Sequence, residues 1–166
     1  MADVKEVELE YDADVLIQYW EDNKDKATPL YDVVLPLNEG PKAFRGKTLW
    51  HVMKTFNKEI RQDMILDVSK DWAFENVTWQ IPYDIGRVTF FWQAKGEDVP
   101  LHTDIPYRNK SIVLIPLYGE GTTYYENGDD YILTGPTILN VTKKHGVKNI
   151  KSDRLSLHVE LLNYNE

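Results

Sequence analysis

From Trp72 onward, short runs of apolar or alternating residues recur between Gly, Pro, Asn and Asp positions. A two-residue period bounded by turn formers predicts strands, here over 73–80, 87–94, 100–102, 111–117, 122–125, 131–134, 137–141, 145–149 and 154–161. The last of these is the most informative. Arg154, Ser156, His158 and Glu160 share one parity, and Leu155, Leu157, Val159 and Leu161 the other. Alternate residues of a strand point to opposite faces, so the leucine side is expected to meet a covering layer and the polar side to face a cavity.

The earlier part of the chain has a different texture. Asp12 or Asp14 can cap a short helix running to Trp20. Residues 31–37 read as a strand. Over 48–64, Leu49, Val52, Met53, Phe56 and Ile60 recur at three- and four-residue steps, which predicts a helix with one apolar stripe. The expected fold is mainly β with supporting helices, a closed or two-sheet architecture of the double-stranded β-helix (jelly-roll, cupin-like) kind. One domain spans 1–166, with mixed helical and strand support over 1–72 and the β core over 73–166.

Composition narrows the chemistry. A chain of 166 residues can bury a core without a metal or disulfide to hold it together. It contains no cysteine, which excludes disulfides, zinc-thiolate sites, iron–sulfur clusters and cysteine nucleophiles. A formal charge of -8 argues against a broad nucleic-acid surface, although Lys143, Lys144, Lys148 and Lys151 cluster near the last strands. No apolar run is long enough to span a bilayer and no secretory segment is evident, so a cytoplasmic protein is expected.

Only four histidines are present: His51, His102, His145 and His158. His102 and Asp104 stand two residues apart, so a strand ending there can turn imidazole and carboxylate to one side, and the strands between can wrap the chain back to bring His145 beside them. Two histidines and a carboxylate can occupy one face of an octahedral ion and leave positions open, an arrangement suited to Fe(II). By itself His-x-Asp is compatible with ordinary structural histidines. Arg154 and Ser156, pointing the same way from the last strand, change the picture. Together they form a clamp for a carboxylate, Arg154 by a two-pronged contact and Ser156 by a further hydrogen bond. The alternative for Arg154 is a structural ion pair with one of the chain's many carboxylates, including Asp153 or Glu160. Asn140, on the strand before His145, is a candidate for a cofactor contact or for orienting a ligand, and it can equally satisfy backbone groups.

In this order and strand context, His102, Asp104, His145, Arg154 and Ser156 spell H-x-D...H...R-x-S. The stretch from about Arg87 to Leu162 resembles the core of the Fe(II)/2-oxoglutarate-dependent oxygenases, and in wording it is most similar to the aspartyl/asparaginyl β-hydroxylase and proline hydroxylase branches. The resemblance implies a metal site of His102, Asp104 and His145, with Arg154 and Ser156 on the distal carboxylate of 2-oxoglutarate. It further implies that O2 is consumed, that succinate and carbon dioxide are formed, and that an amino acid, peptide or protein substrate is hydroxylated on a side chain such as Pro or Asp/Asn. A homo-oligomer is compatible with it; nucleic-acid and membrane partners are not expected. Two other readings remain open from the residues: a cupin-like metal isomerase or dioxygenase that does not use 2-oxoglutarate, and a noncatalytic β domain that binds carbohydrate or protein.

Overall fold

A computed structural model describes residues 3–35, 37–38, 42–55, 62–78, 84–96, 98–102 and 111–162. In chain order its elements are β1 (Val4–Glu6), β2 (Glu10–Tyr11), α1 (Ala13–Asn23), β3 (Thr28–Pro29), α2 (Leu49–Thr55), β4 (Met64–Val68), α3 (Lys70–Asn76), β5 (Val77–Thr78), β6 (Asp84–Gln93), β7 (Val99–His102), β8 (Ser111–Tyr118), β9 (Thr122–Tyr125), β10 (Asp130–Ile132), β11 (Thr137–Asn140), β12 (His145–Lys148) and β13 (Arg154–Leu162). They build a seven-stranded sheet ordered β1-β11-β8-β13-β6-β4-β3 and a four-stranded sheet ordered β10-β9-β12-β7, with β2 and β5 as a separate pair. All the pairings are antiparallel. The larger and smaller sheets are the two layers of a double-stranded β-helix.

The two faces of β13 divide as their alternation predicts. Leu155, Leu157, Val159 and Leu161 are fully buried in a core that also takes Val88 and Phe90 of β6, Val113 and Ile115 of β8, Leu16 and Trp20 of α1, and Ala73 of α3. Phe90 lies at its centre, with the rings of Tyr19, Trp20 and Trp72 at 5.9, 5.9 and 5.6 Å. Burying a side chain of this size stabilises by roughly 1.5–3 kcal/mol. The helix α1 starts where expected: the Asp12 carboxylate accepts the Asp14 backbone N–H at 3.0 Å, supplying one of the partners a first turn lacks.

Three local expectations are corrected. The described residues of 31–37 do not form a strand. Val33 N–H bonds the Leu30 carbonyl, closing a 3-10 turn over Leu30–Asp32, and only Val34 makes a bridge, to Thr48. The helix read over 48–64 spans Leu49–Thr55 among the described residues, while Met64 opens β4 opposite Trp92 of β6. Phe56 and Ile60 of its stripe lie outside the described residues. Cross-strand packing overrode helical period at Met64, as it commonly does for short apolar runs. The strand read over 73–80 begins instead as α3, whose N-cap Ser69 accepts from Trp72 N–H at 3.1 Å; Val77–Thr78 is extended, and residues 79–80 lie outside the described residues. Ala73 and Val77 stand one helical turn apart and both enter the core. Among the described residues, no helix is long and apolar enough to cross a membrane.

Candidate metal and carboxylate site

Strand register sets the site. In the smaller sheet His145 is paired with His102 on one side and with Tyr125 on the other, and Val147 with Val99 and Thr123. Directly opposed residues share a face, so His102, His145, Tyr125, Val147 and Thr123 all turn the same way. An irregularity between β12 and β7 brings His102 and Val99, three apart in sequence, onto that common face. In the larger sheet Arg154 opposes Gln93, Ser156 opposes Phe91 and His158 opposes Thr89, which gathers the polar parity of β13 with alternate residues of β6.

The sheets meet across this space at two points. A Cβ built on Gly121 would come within 2.8 Å of Val147 Cγ1 and 3.4 Å of Arg154 Cδ, so the bare glycine backbone leaves the passage taken by the Arg154 side chain. At the other end the Tyr125 hydroxyl donates to the Asn140 carbonyl at 3.0 Å and to the Asp3 carbonyl at 3.2 Å.

His102 and His145 are held alike. Each Nδ1 lies on the backbone carbonyl two residues earlier, Pro100 at 2.8 Å and Lys143 at 2.7 Å. Their ring centroids are 4.6 Å apart at 50°. In the neutral ring, a proton donated from Nδ1 leaves the lone pair on Nε2, the tautomer and anchoring found at metal-ligating histidines. The pair therefore fits a divalent ion. The third sequence-predicted ligand, Asp104, lies outside the described residues. Among the described residues no group of three or more His, Cys, Asp or Glu side chains could hold a metal.

Arg154 is 4% exposed, and its hydrogen bond is to a neutral acceptor, Nη1 to Gln93 Oε1 at 2.6 Å. Burial alone pulls its guanidinium down to about 10, with no described carboxylate opposing the shift. A buried charge without a counterion is costly, so the position suits an anion that arrives from outside. Among the described residues neither Asp153 nor Glu160 is its partner: Asp153 accepts the Lys95 N–H at 3.0 Å, and Glu160 lies against Gly86. Ser156, 1% exposed, lies 3.0 Å from His158 Nε2, and the His158 ring stacks on Phe91 at 4.2 Å. If Nε2 carries the ring proton, His158 donates to Ser156 Oγ and the hydroxyl hydrogen is left for an anion.

Asn140 is not part of this group. It opposes Ser111 on the reverse face, its Oδ1 accepts from the Thr142 N–H and hydroxyl at 3.0 and 2.7 Å, and its Nδ2 reaches Asp3 Oδ1 at 3.4 Å. Gln93, whose strand parity and polarity mark it against Trp92 as the cavity-facing residue, partners Arg154, and Thr123, which carried no clear sequence signal, places a buried hydroxyl on the shared face. In Thr122-Thr123-Tyr124-Tyr125 either parity could be inner, and the register with β12 decides it.

No family model matches the chain, and no curated protein sequence matches it. Solved structures do. A prolyl-4-hydroxylase from Pseudomonas putida is 12% identical and superposes over 98% of this chain and 94% of that chain with a TM-score of 0.58. An oxidoreductase of the 2OG-Fe(II) oxygenase family from Burkholderia pseudomallei is 17% identical over 52% of this chain and 48% of that one, TM-score 0.41. An RmlC-like cupin protein from Desulfovibrio desulfuricans is 13% identical over 58% and 79%, TM-score 0.39. The end-to-end superposition on the first establishes a shared fold. Function at this identity has to be argued from the site.

Proposed function

We propose that the chain is an Fe(II)/2-oxoglutarate-dependent dioxygenase that hydroxylates an amino acid or peptide side chain, with Pro or Asp/Asn as the first candidates. The observation that carries this reading is a pair of facing sheets, the smaller bearing two histidines anchored through Nδ1 and the larger a buried arginine that no described carboxylate neutralises. His102, His145 and Asp104 would hold the metal, and Arg154 with Ser156 would hold the distal carboxylate of 2-oxoglutarate. When bound, the iron and cosubstrate supply the oxidising power: O2 is consumed, 2-oxoglutarate is converted to succinate and carbon dioxide, and one oxygen atom enters a substrate C–H bond.

The chain's own part is alignment. The Pro100 and Lys143 carbonyls fix the ring orientation of the two histidines, and Gln93 braces the Arg154 guanidinium against the sheet.

The test is succinate formation from 2-oxoglutarate with Fe(II), in air and without oxygen, across a panel of amino acids and peptides. Oxygen-dependent succinate that one substrate stimulates and that is lost in Asp104→Ala is the expected result. Iron binding by folded protein without succinate under any substrate would favour the second reading, a cupin-like metal enzyme that does not use 2-oxoglutarate. The Gln93–Arg154 bond is the observation on that side, since it gives the guanidinium a partner within the chain.

A further inference from the structure

Among the described residues, two hydroxyls are buried with no hydrogen-bond partner, Ser111 Oγ and Thr123 Oγ1. A buried hydroxyl left unsatisfied destabilises the fold and calls for an explanation. The two sit in different places. Ser111 opposes Leu161 and Asn140, on the helix-covered side of the larger sheet. Thr123 opposes Val147, next to the His145–Tyr125 pair, on the face of the smaller sheet that looks toward Arg154.

Its place along β9 is specific. Gly121, two residues before it, is where the Arg154 side chain passes, and Tyr125, two residues after it, stands against His145 with ring centroids 5.9 Å apart. Two residues of strand are about 7 Å. Thr123 thus lies midway between the guanidinium and the histidine pair, where a dicarboxylate chelating at one end and clamped at the other would run. The neighbouring phenols are committed elsewhere. Tyr125 donates to the Asn140 and Asp3 carbonyls, and Tyr124, on the opposite parity, donates to the Val99 carbonyl at 3.2 Å.

We infer that Thr123 is a cosubstrate-positioning residue whose hydroxyl donates to 2-oxoglutarate between Arg154 and the metal ligands, so that its missing partner is the cosubstrate itself. The inference rests on the proposed function and deepens it. It also has a signature that packing alone does not give. Thr123→Val removes an unsatisfied hydroxyl at nearly constant volume, so the unliganded protein should lose no stability while binding becomes weaker.

The experiment measures, without oxygen, the dissociation constant of 2-oxoglutarate from Mn(II)-loaded protein by calorimetry, and the thermal unfolding midpoint of the unliganded protein. Thr123→Val is expected to weaken binding at least about tenfold, as loss of a hydrogen bond to a charged ligand does, with an unfolding midpoint equal to or above wild type. Thr123→Ser, which keeps the donor, should bind within about threefold of wild type. Ser111→Ala should leave binding unchanged. Wild-type affinity in Thr123→Val would overturn the assignment and leave the cosubstrate reading intact, as would weakened binding accompanied by a lowered midpoint. Failure of wild-type protein to bind 2-oxoglutarate would remove the cosubstrate reading and this inference with it.

Discussion

Arg154 and Arg87 belong to the same polar face of the β6–β13 pair, yet the two ends of that face treat a guanidinium in opposite ways. At the β4 end, Arg87 Nε and Nη2 reach the two Asp67 carboxylate oxygens at 2.8 and 2.9 Å, and the Thr89 hydroxyl donates to the same carboxylate at 2.7 Å. Both side chains of the pair are about half exposed, 51% and 56%. At the other end Arg154 is buried against a neutral glutamine. Arg87 is a charge already satisfied within the fold, whereas Arg154 has a neutral partner. Residue type and strand parity therefore do not separate the two arginines; burial and the presence of a counterion do.

The difference can be broken at several levels, beginning with the support both ends share. Phe90 sits on the reverse face of β6 among three aromatic rings, and Phe90→Ala should cost about 3–5 kcal/mol of folding stability in a denaturant titration. A cost near zero would mean that the aromatic cluster does not hold this sheet to its helices. Next is Arg154→Met, for which 2-oxoglutarate affinity should fall by about 2–5 kcal/mol, with metal affinity far less affected. Arg87→Ala is the matched control: it should alter stability by only about 0.2–1 kcal/mol and leave cosubstrate affinity unchanged.

Both ends should gain stability as pH rises, in separate pH ranges and for different reasons. Burial raises the Asp67 carboxyl, but its bonds to Arg87 and Thr89 outweigh that and hold it below its usual value. Its contribution is therefore fully present above the unfolded value of about 4 and is lost as pH falls through the lower folded value. The stability difference between wild type and Asp67→Asn should be flat above about pH 5 and shrink below pH 4. At Arg154 the charged form is the costly one, because burial lowers the guanidinium without a described counter-charge. It costs stability while charged, and that cost fades as pH rises above about 10, where the folded protein releases the proton before the unfolded chain does. Relative to Arg154→Met, wild type should gain stability over that alkaline range; a declining difference would show that the charge is compensated within the fold.

Much of this was readable in the chain. The alternation from Arg154 to Leu161 gave both faces of β13, and the cap at Asp12 located α1, because both depend on local period and local hydrogen bonding. Met64 and Ala73 were misassigned because their environments are set by partners distant in sequence, Trp92 across the sheet and Leu16 and Trp20 in the core. In the site, the histidine and arginine positions carried a recognisable spacing. Thr123 did not, since a threonine in a Thr-Thr-Tyr-Tyr strand acquires meaning only from register. Asn140 looked equivalent to a ligand-facing polar residue, but its pairing with Ser111 turns it to the other face.

The central claim is that this cavity binds a metal at the His102–His145 end and clamps 2-oxoglutarate at Arg154. It is tested most directly by an anaerobic titration of the Fe(II)-loaded protein with 2-oxoglutarate, following the visible charge-transfer absorption that appears when the oxo acid chelates iron. Wild type should develop the band with a saturable midpoint, and Arg154→Met should reach it only at a cosubstrate concentration about 30-fold higher or more. Absence of the band in folded, iron-loaded wild type, or equal midpoints for the two proteins, would contradict the account.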